Sequence, residues 1–422
     1  MKLRYDSINE LFKVIWIKRT EISSISILSY LTLFFQFLTQ VTLARLLGPN
    51  DYGKFAATVA LIAIIEVPLI VRTSEITLRN LIKLKDNLGI YISFEKNLLI
   101  TDIKLLIGAY LFLLINSSWL SSLLEINIYQ FIIMILVIPG QIGYGIYKSR
   151  FVIFDKIPQL VRIEFVYSLL YMTSLVISYQ VLGMFGLAGG LVLMMFIKTF
   201  LAYNLTKRYI PKFSGVSQLP YKQNPADSFF SIVRSTVANG INQIDLILLS
   251  FFQNSQDVAL YRVAKSLASL PTKITFPIWR YLQPKLIFAI DNNDHKTTKK
   301  LIFSGTIISS SVVVLSFLIT YFIGDIVIDT LYGAEYKKSL LPLLYLLFGI
   351  GLFNCVTGWF KIWSSVSKAQ LSSVLIYLTI FIAFVSFGTL FGRNSINEMA
   401  FAVSTVLACG SFFIYFKIFV IK

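Results

Sequence analysis

The sequence predicts an all-α integral membrane protein: twelve transmembrane helices in two six-helix bundles, related by a pseudo-twofold axis along the membrane normal. Three observations predict it. Twelve long apolar runs fill the 422-residue chain. The basic residues between the runs fall almost wholly on alternate connections. A motif at the first turn returns 206 residues later, at the corresponding turn of the second half.

A hydrocarbon core needs roughly 20 apolar residues per helix, because lipid offers the backbone no hydrogen-bond partner. Runs 1 and 2, at 22–44 and 55–71, flank a Gly-Pro turn at Gly48. Run 3 is 98–117. Run 4, at 128–147, holds Pro139-Gly140, which reads as a kink. Runs 5 and 6, at 163–181 and 183–204, abut, and Gly183, Gly186, Gly189 and Gly190 read as close helix packing. The stretch Pro211–Pro225 reads as a linker, dividing the chain into bundles at 1–210 and 211–422. Runs 7 and 8 are 228–253 and 257–280, and Pro271 and Pro277 are expected to bend or break run 8. Runs 9 to 12, at 301–323, 340–363, 370–392 and 396–416, complete the set.

The charges give an independent reading. With the N-terminus in the cytoplasm, 28 of the 38 basic residues fall on inside segments, Lys148, Arg150 and Lys198 among them. Only Arg45, Lys54, Lys337, Lys338 and Arg393 fall outside. That bias is what the positive-inside rule expects, and an even helix count returns the C-terminus to the cytoplasm. It also accounts for most of the net charge of +17, so nucleic acid is not an expected partner.

Composition excludes other classes. A chain 56% hydrophobic, with mean hydropathy +0.74, is not a soluble domain. Cys355 and Cys409 lie within apolar runs, so no structural disulfide is expected. No cleavable signal peptide is evident. His295 is the single histidine and lies on a polar inside connection, which argues against a His-based metal site or catalytic triad. No enzyme activity, metal or cofactor is expected. Gly48–Lys54 has the spacing of a P-loop, but Phe55 stands where the Mg²⁺-binding hydroxyl belongs, and no strand precedes it.

The repeat sets the architecture. Gly48-Pro-Asn-Asp-Tyr-Gly-Lys-Phe55 joins runs 1 and 2, and Asn254-Ser-Gln-Asp-Val-Ala-Leu-Tyr261 joins runs 7 and 8. Six helices per repeat leave both halves in one orientation. Parallel repeats of this kind build transporters with a substrate site between the halves.

Ionisable groups inside a span cost roughly 2.5–3.5 kcal/mol each on insertion scales and mark functional candidates. Run 7 carries Arg234 and Asp245, eleven residues apart and so on one face of a continuous helix, with Asn239 and Asn242 nearby. Run 8 carries Arg262, Lys265, Ser269 and Lys273 on one stripe. Glu66 lies in run 2, Asp102 and Lys104 start run 3, and Glu164 starts run 5. A cationic cavity suits an anionic head group: Arg234, Lys265, Lys273 and Arg262 are the candidate substrate-binding residues. Glu66, Asp245, Asn242 and Asn239 are the candidate polar or coupling residues. Structural pairing, Arg234 with Glu66 or Asp245 with Lys265, is the alternative for any one of them.

Three stretches carry a family resemblance. Ala44-Arg-Leu-Leu-Gly-Pro-Asn-Asp-Tyr-Gly-Lys-Phe55 resembles the first-turn signature of Wzx-type polysaccharide repeat-unit flippases, which belong to the multidrug/oligosaccharidyl-lipid/polysaccharide (MOP) exporter superfamily. Asp245–Phe252 with Asp257–Lys265, and Thr330-Leu-Tyr-Gly-Ala-Glu-Tyr336, are similar to two further stations of that family. The second-half signature departs at Val258-Ala259, where Gly is common. The resemblance implies a MATE-like fold, two six-helix bundles set in a V. It implies movement of an undecaprenyl-pyrophosphate-linked oligosaccharide, of O-antigen or capsule type, to the outer leaflet. It also implies H⁺ or Na⁺ coupling and contact with a polysaccharide polymerase. Two other classes stand beside it. A multidrug antiporter would carry more acids than bases in its cavity, and a polymerase would carry a large Arg-rich outer loop.

Overall fold

A computed structural model describes residues 19–71, 88–154, 156–207, 225–292, 294–366 and 370–420. The linker proper, up to residue 224, and the division at 210 lie outside the described residues. Every regular element within them is helical.

The first half opens with α1 (Arg19–Val71), interrupted by Gly48 at φ 68°. Only a residue without Cβ adopts that conformation without cost, and Pro49 then starts the next segment with its φ already preset. The chain turns back there. Gln36 and Glu66 line one cavity, whereas a straight helix would hold them about 45 Å apart. α1 therefore holds runs 1 and 2 as a hairpin. α2 (Leu88–Ile115) carries run 3 and bends by 65° into α3 (Ser117–Leu123). α4 (Ile128–Ile135), closed at its start by an Asn127–Gln130 capping box, and α5 (Val137–Ile153) form run 4. The break between them precedes Pro139, whose missing N–H leaves the Ile135 carbonyl without its helical donor.

α6 (Ile157–Lys207) repeats the hairpin of α1, turning at Gly183 with φ 59°. A Cβ on Gly186 would stand 1.8 Å from the Ser178 carbonyl oxygen, and one on Gly190 would stand 2.8 Å from Ser178 Oγ. Those two glycines let runs 5 and 6 touch, as close packing requires. Gly189 meets nothing within 4 Å, so the packing explanation does not extend to it.

In the second half, run 7 is not one helix. α7 (Pro225–Ile241) ends in a turn at Asn242-Gln243, and α8 (Ile244–Phe252) follows. The expectation that Arg234 and Asp245 share one face of a continuous helix is therefore corrected. Run 8 breaks as expected beside Pro271, into α9 (Ser255–Ala268) and α10 (Leu270–Asp291). Runs 9 to 12 are α11 (His295–Tyr332), α12 (Leu340–Val366), α13 (Gln370–Phe391) and α14 (Ile396–Val420), with a 3₁₀ turn at Ala334–Ser339 before α12. His295 is exposed at the start of α11.

Seven described helices, or eight with the bent α2–α3 pair, are long and apolar enough to cross a membrane. Two of them, α1 and α6, are hairpins. Runs 7 and 8 do not qualify by apolarity, because each is broken and carries charge; they are held among other helices instead. The exterior is apolar, with Ile115, Phe322 and Phe412 exposed as lipid-facing side chains would be. The protein is a multi-pass membrane protein.

Contacts sort by half. α1, α5 and α6 pack on one another, as do α10, α11, α12 and α14, while α7 packs on α13. The halves meet where α1 packs on α9, α7 and α8.

Several of the described connections also meet at one end. At that end, assigned to the outside, the two related turns touch: a Cβ on Gly53 would stand 1.7 Å from the Ser255 carbonyl oxygen. Ser255 Oγ donates to Glu125 Oε2 at 2.6 Å, Tyr336 donates to the Ala44 carbonyl at 2.8 Å, and Arg45 donates to the Thr330 carbonyl. At the other end Arg150 pairs with Glu95 at 2.7 Å and Lys148 with Glu164 at 3.3 Å.

Candidate functional site

A cavity of about 340 Å³, lined by both polar and apolar side chains, opens inside the first half. Both arms of the α1 hairpin line it, with Gln36 and Gln40 on one and Tyr52 and Glu66 on the other. α5 adds Gln141, and the arms of α6 add Tyr167, Tyr171 and Lys198. One residue reaches it from the second half: Arg262 on α9, which lies beside the Tyr52 hydroxyl. Hairpin turns at two glycines thus bring together side chains far apart in sequence.

Lys198 is the site residue that the charge count misplaces. The count puts it on an inside connection, but it lies on the second arm of α6 and faces the cavity. Its ammonium stands 3.9 Å from the centroid of the Tyr144 ring and 4.4 Å from that of Tyr167. Such cation–π contacts replace part of the lost hydration. Glu66 and Glu164 are its acidic neighbours. Glu164 in turn accepts from Tyr144 at 2.9 Å and from Lys148 at 3.3 Å. Lys148, Glu164, Lys198 and Glu66 form a ladder of alternating charge from the inside end to the cavity. The neighbour of Glu66 is therefore Lys198, not the Arg234 of the expected pairing.

The second-half candidates separate. Lys265 stands 2.6 Å from both carboxylate oxygens of Asp245 and 2.6 Å from the Asn242 carbonyl. Tyr261 donates to the same carboxylate at 2.9 Å, and Asp245 is fully buried. This is the structural pairing that stood as the alternative for Lys265. Arg234 is buried with Tyr377 in its electrostatic neighbourhood. Asn239 and Asn242 turn their amides onto the α7 backbone, at Ser235 and Ala238. Lys273 is half-buried and within electrostatic reach of Arg262. Ser269 lies at the break between α9 and α10, between Lys265 and Lys273 of the expected stripe. Lys104 is exposed on α2, and the side chain of Asp102 lies outside the described residues.

The glutamines and tyrosines of the cavity do not stand out in the sequence. A signal exists for Gln36 and Gln40, two amides one turn apart in an apolar run. None exists for the tyrosines, which are ordinary near membrane interfaces.

The sequence pattern of one family, described as "Polysaccharide biosynthesis protein", matches residues 42–341. The chain belongs to that family. No protein with a curated description matches it. This polysaccharide biosynthesis protein shares its fold with a multidrug resistance MATE transporter of the MOP superfamily in an inward-facing conformation. The TM-score is 0.68 at 11% identity, over 92% of this chain and 93% of that one. The lipid II flippase MurJ, in an inward closed conformation, has the same fold. Its TM-score is 0.68 at 13% identity, over 93% of this chain and 87% of that one. A point mutant of the MATE transporter VcmN of Vibrio cholerae gives 0.64 at 13% identity, over 95% of this chain and 97% of that one. The MATE-like fold is thereby shown, and both the transporters and the flippase carry it.

Proposed function

We propose that this protein moves an undecaprenyl-pyrophosphate-linked oligosaccharide repeat unit, of O-antigen or capsule type, from the cytoplasmic to the outer leaflet. It does so by alternating access between bundles 1–210 and 211–422 in a bacterial inner membrane, with both termini in the cytoplasm. The observation that carries the reading is Arg262: a cation from the second half enters a cavity otherwise built by the first half. A group at that junction can hold an anionic head group in one arrangement of the halves and release it in another. Family membership supplies the pathway, polysaccharide biosynthesis.

Arg262 and Lys273 are the cations we assign to the pyrophosphate. Lys265 would contribute only on leaving Asp245, and Arg234 would act from deeper in the second half. Glu66 and Asp245 are the acids we assign to H⁺ or Na⁺ coupling, with Asn239 and Asn242 as supporting polar groups. A polysaccharide polymerase is the partner expected downstream.

Deleting the gene should stop surface glycan while lipid-linked repeat units accumulate on the inner leaflet. Arg262→Ala should reproduce that phenotype at normal expression, and Arg262→Lys should restore part of the export. A charge-assisted hydrogen bond is worth roughly 1.5–3 kcal/mol, so Arg262→Ala should weaken head-group binding about ten- to a hundredfold. Drug sensitivity without lipid accumulation would instead favour an antiporter.

A further inference from the structure

The cavity is better suited to a sugar than to a phosphate. Building on the flippase reading, we infer that the first-half cavity is a glycan subsite, in which Gln36, Gln141, Glu66, Tyr167 and Tyr171 grip the hydroxyl-bearing rings of the transported oligosaccharide. Three observations support this.

The first is the inventory of free polar groups. The side chains of Gln36, Gln141 and Tyr171 make no hydrogen bond among the described residues, yet all three line the cavity. An amide offers two donors and two acceptor lone pairs, and a phenol offers one donor and its acceptors. Neighbouring hydroxyls on a sugar ring are donors and acceptors at once, and this lining can meet both. A phosphate only accepts, so the amide oxygens would be wasted on it.

The second is shape. The Tyr167 and Tyr171 rings lie 5.3 Å apart with an interplanar angle of 30°, and both line the cavity. A sugar ring has an apolar C–H face and a polar rim. Amphipathic tyrosines and amides sharing one lining can meet both surfaces. The volume of about 340 Å³ lies at the small end of the range for small-molecule sites, roughly 300–1,000 Å³.

The third is charge. Glu66 and Lys198 sit together at one part of the lining and offset one another. A carboxylate inside the cavity repels an anion but accepts well from hydroxyls. Among the described residues, the only other charged member of the lining is Arg262, at the junction with the second half. The pyrophosphate therefore belongs at that junction and the sugar beyond it.

The test uses the full-length protein in vesicles with two probes: the lipid-linked repeat unit from a deletion strain, and undecaprenyl pyrophosphate without sugar. Gln141→Ala, Gln36→Ala and Tyr171→Phe should each weaken binding of the glycan-bearing lipid about three- to tenfold, the effect of one neutral hydrogen bond. Binding of the sugar-free lipid should change less than about twofold, because no hydrogen bond to it is lost. Arg262→Ala should weaken both. Tyr171→Phe preserves the ring, so it remains informative if an alanine variant fails to fold. Equal losses for the two lipids in the Gln and Tyr variants would assign the cavity to the head group and overturn the inference. Unchanged glycan binding in all three would overturn it as well. If the wild-type protein binds neither lipid, the flippase reading itself fails, a different outcome from either of these.

Discussion

At the scale of single residues, Lys265 is a cation that the fold has already committed. It meets both oxygens of Asp245 at 2.6 Å, and the Tyr261 hydroxyl and the Leu246 N–H also donate to that carboxylate. Removing one partner of a buried ion pair strands the other and costs about 3–5 kcal/mol, whereas replacing both with apolar groups is often nearly neutral. Asp245→Asn should therefore lower thermal stability in detergent markedly. The double change Asp245→Leu with Lys265→Met should recover most of it. A double variant that is stable but does not export would show that the pair also serves transport. The same reasoning explains why a count of bases against acids overstates the free positive charge of runs 7 and 8. Pairing is a property of two side chains in space, and spacing along one helix reports only which face each occupies.

Among the elements, the two related turns matter most. Gly53 lies against the Ser255 backbone so closely that a Cβ would stand 1.7 Å from the carbonyl oxygen. No side chain can be moved aside to make room there. Gly53→Ala should force the turns apart, costing about 1–3 kcal/mol as overpacking does, and should reduce export. Gly189→Ala, facing open space, should leave thermal stability and export unchanged. Near-equal effects of the two substitutions would argue against a tight turn-to-turn contact. The repeat itself is legible because both turns keep the same short spacing. That they touch one another is not legible, since a motif states local conformation and not its partner.

For the whole molecule, several of the described connections assigned to the outside meet at one end of the fold. Arg45, Glu125, Ser255 and Tyr336 all take part in the contacts at the outer end. Glu335 is exposed in the 3₁₀ turn beside them. In a background with Cys409→Ser, Glu335→Cys should react with a membrane-impermeant maleimide in intact spheroplasts. Labelling that appears only after permeabilisation would reverse the orientation read from the basic residues.

The class, the positions of most spans and the segregation of basic residues onto alternate connections can be read from the sequence alone. Each of these follows from transfer free energy, which is a sum over neighbouring residues and can be read along a line. The sequence also disclosed the turn at Gly48, but Gly183, expected to serve close helix packing, instead makes a hairpin turn at φ 59°. Which charges are paired emerges only once the chain is folded. The tertiary structure paired Lys265 with Asp245 and folded α6 back so that Lys198 reaches Tyr144 and Tyr167. It also gathered Gln36, Gln141 and Tyr171 around one cavity with Arg262 at its edge. Those groups come from four helices, and electrostatic and hydrogen-bond energies depend on distances across the fold. Neither composition nor periodicity contains those distances.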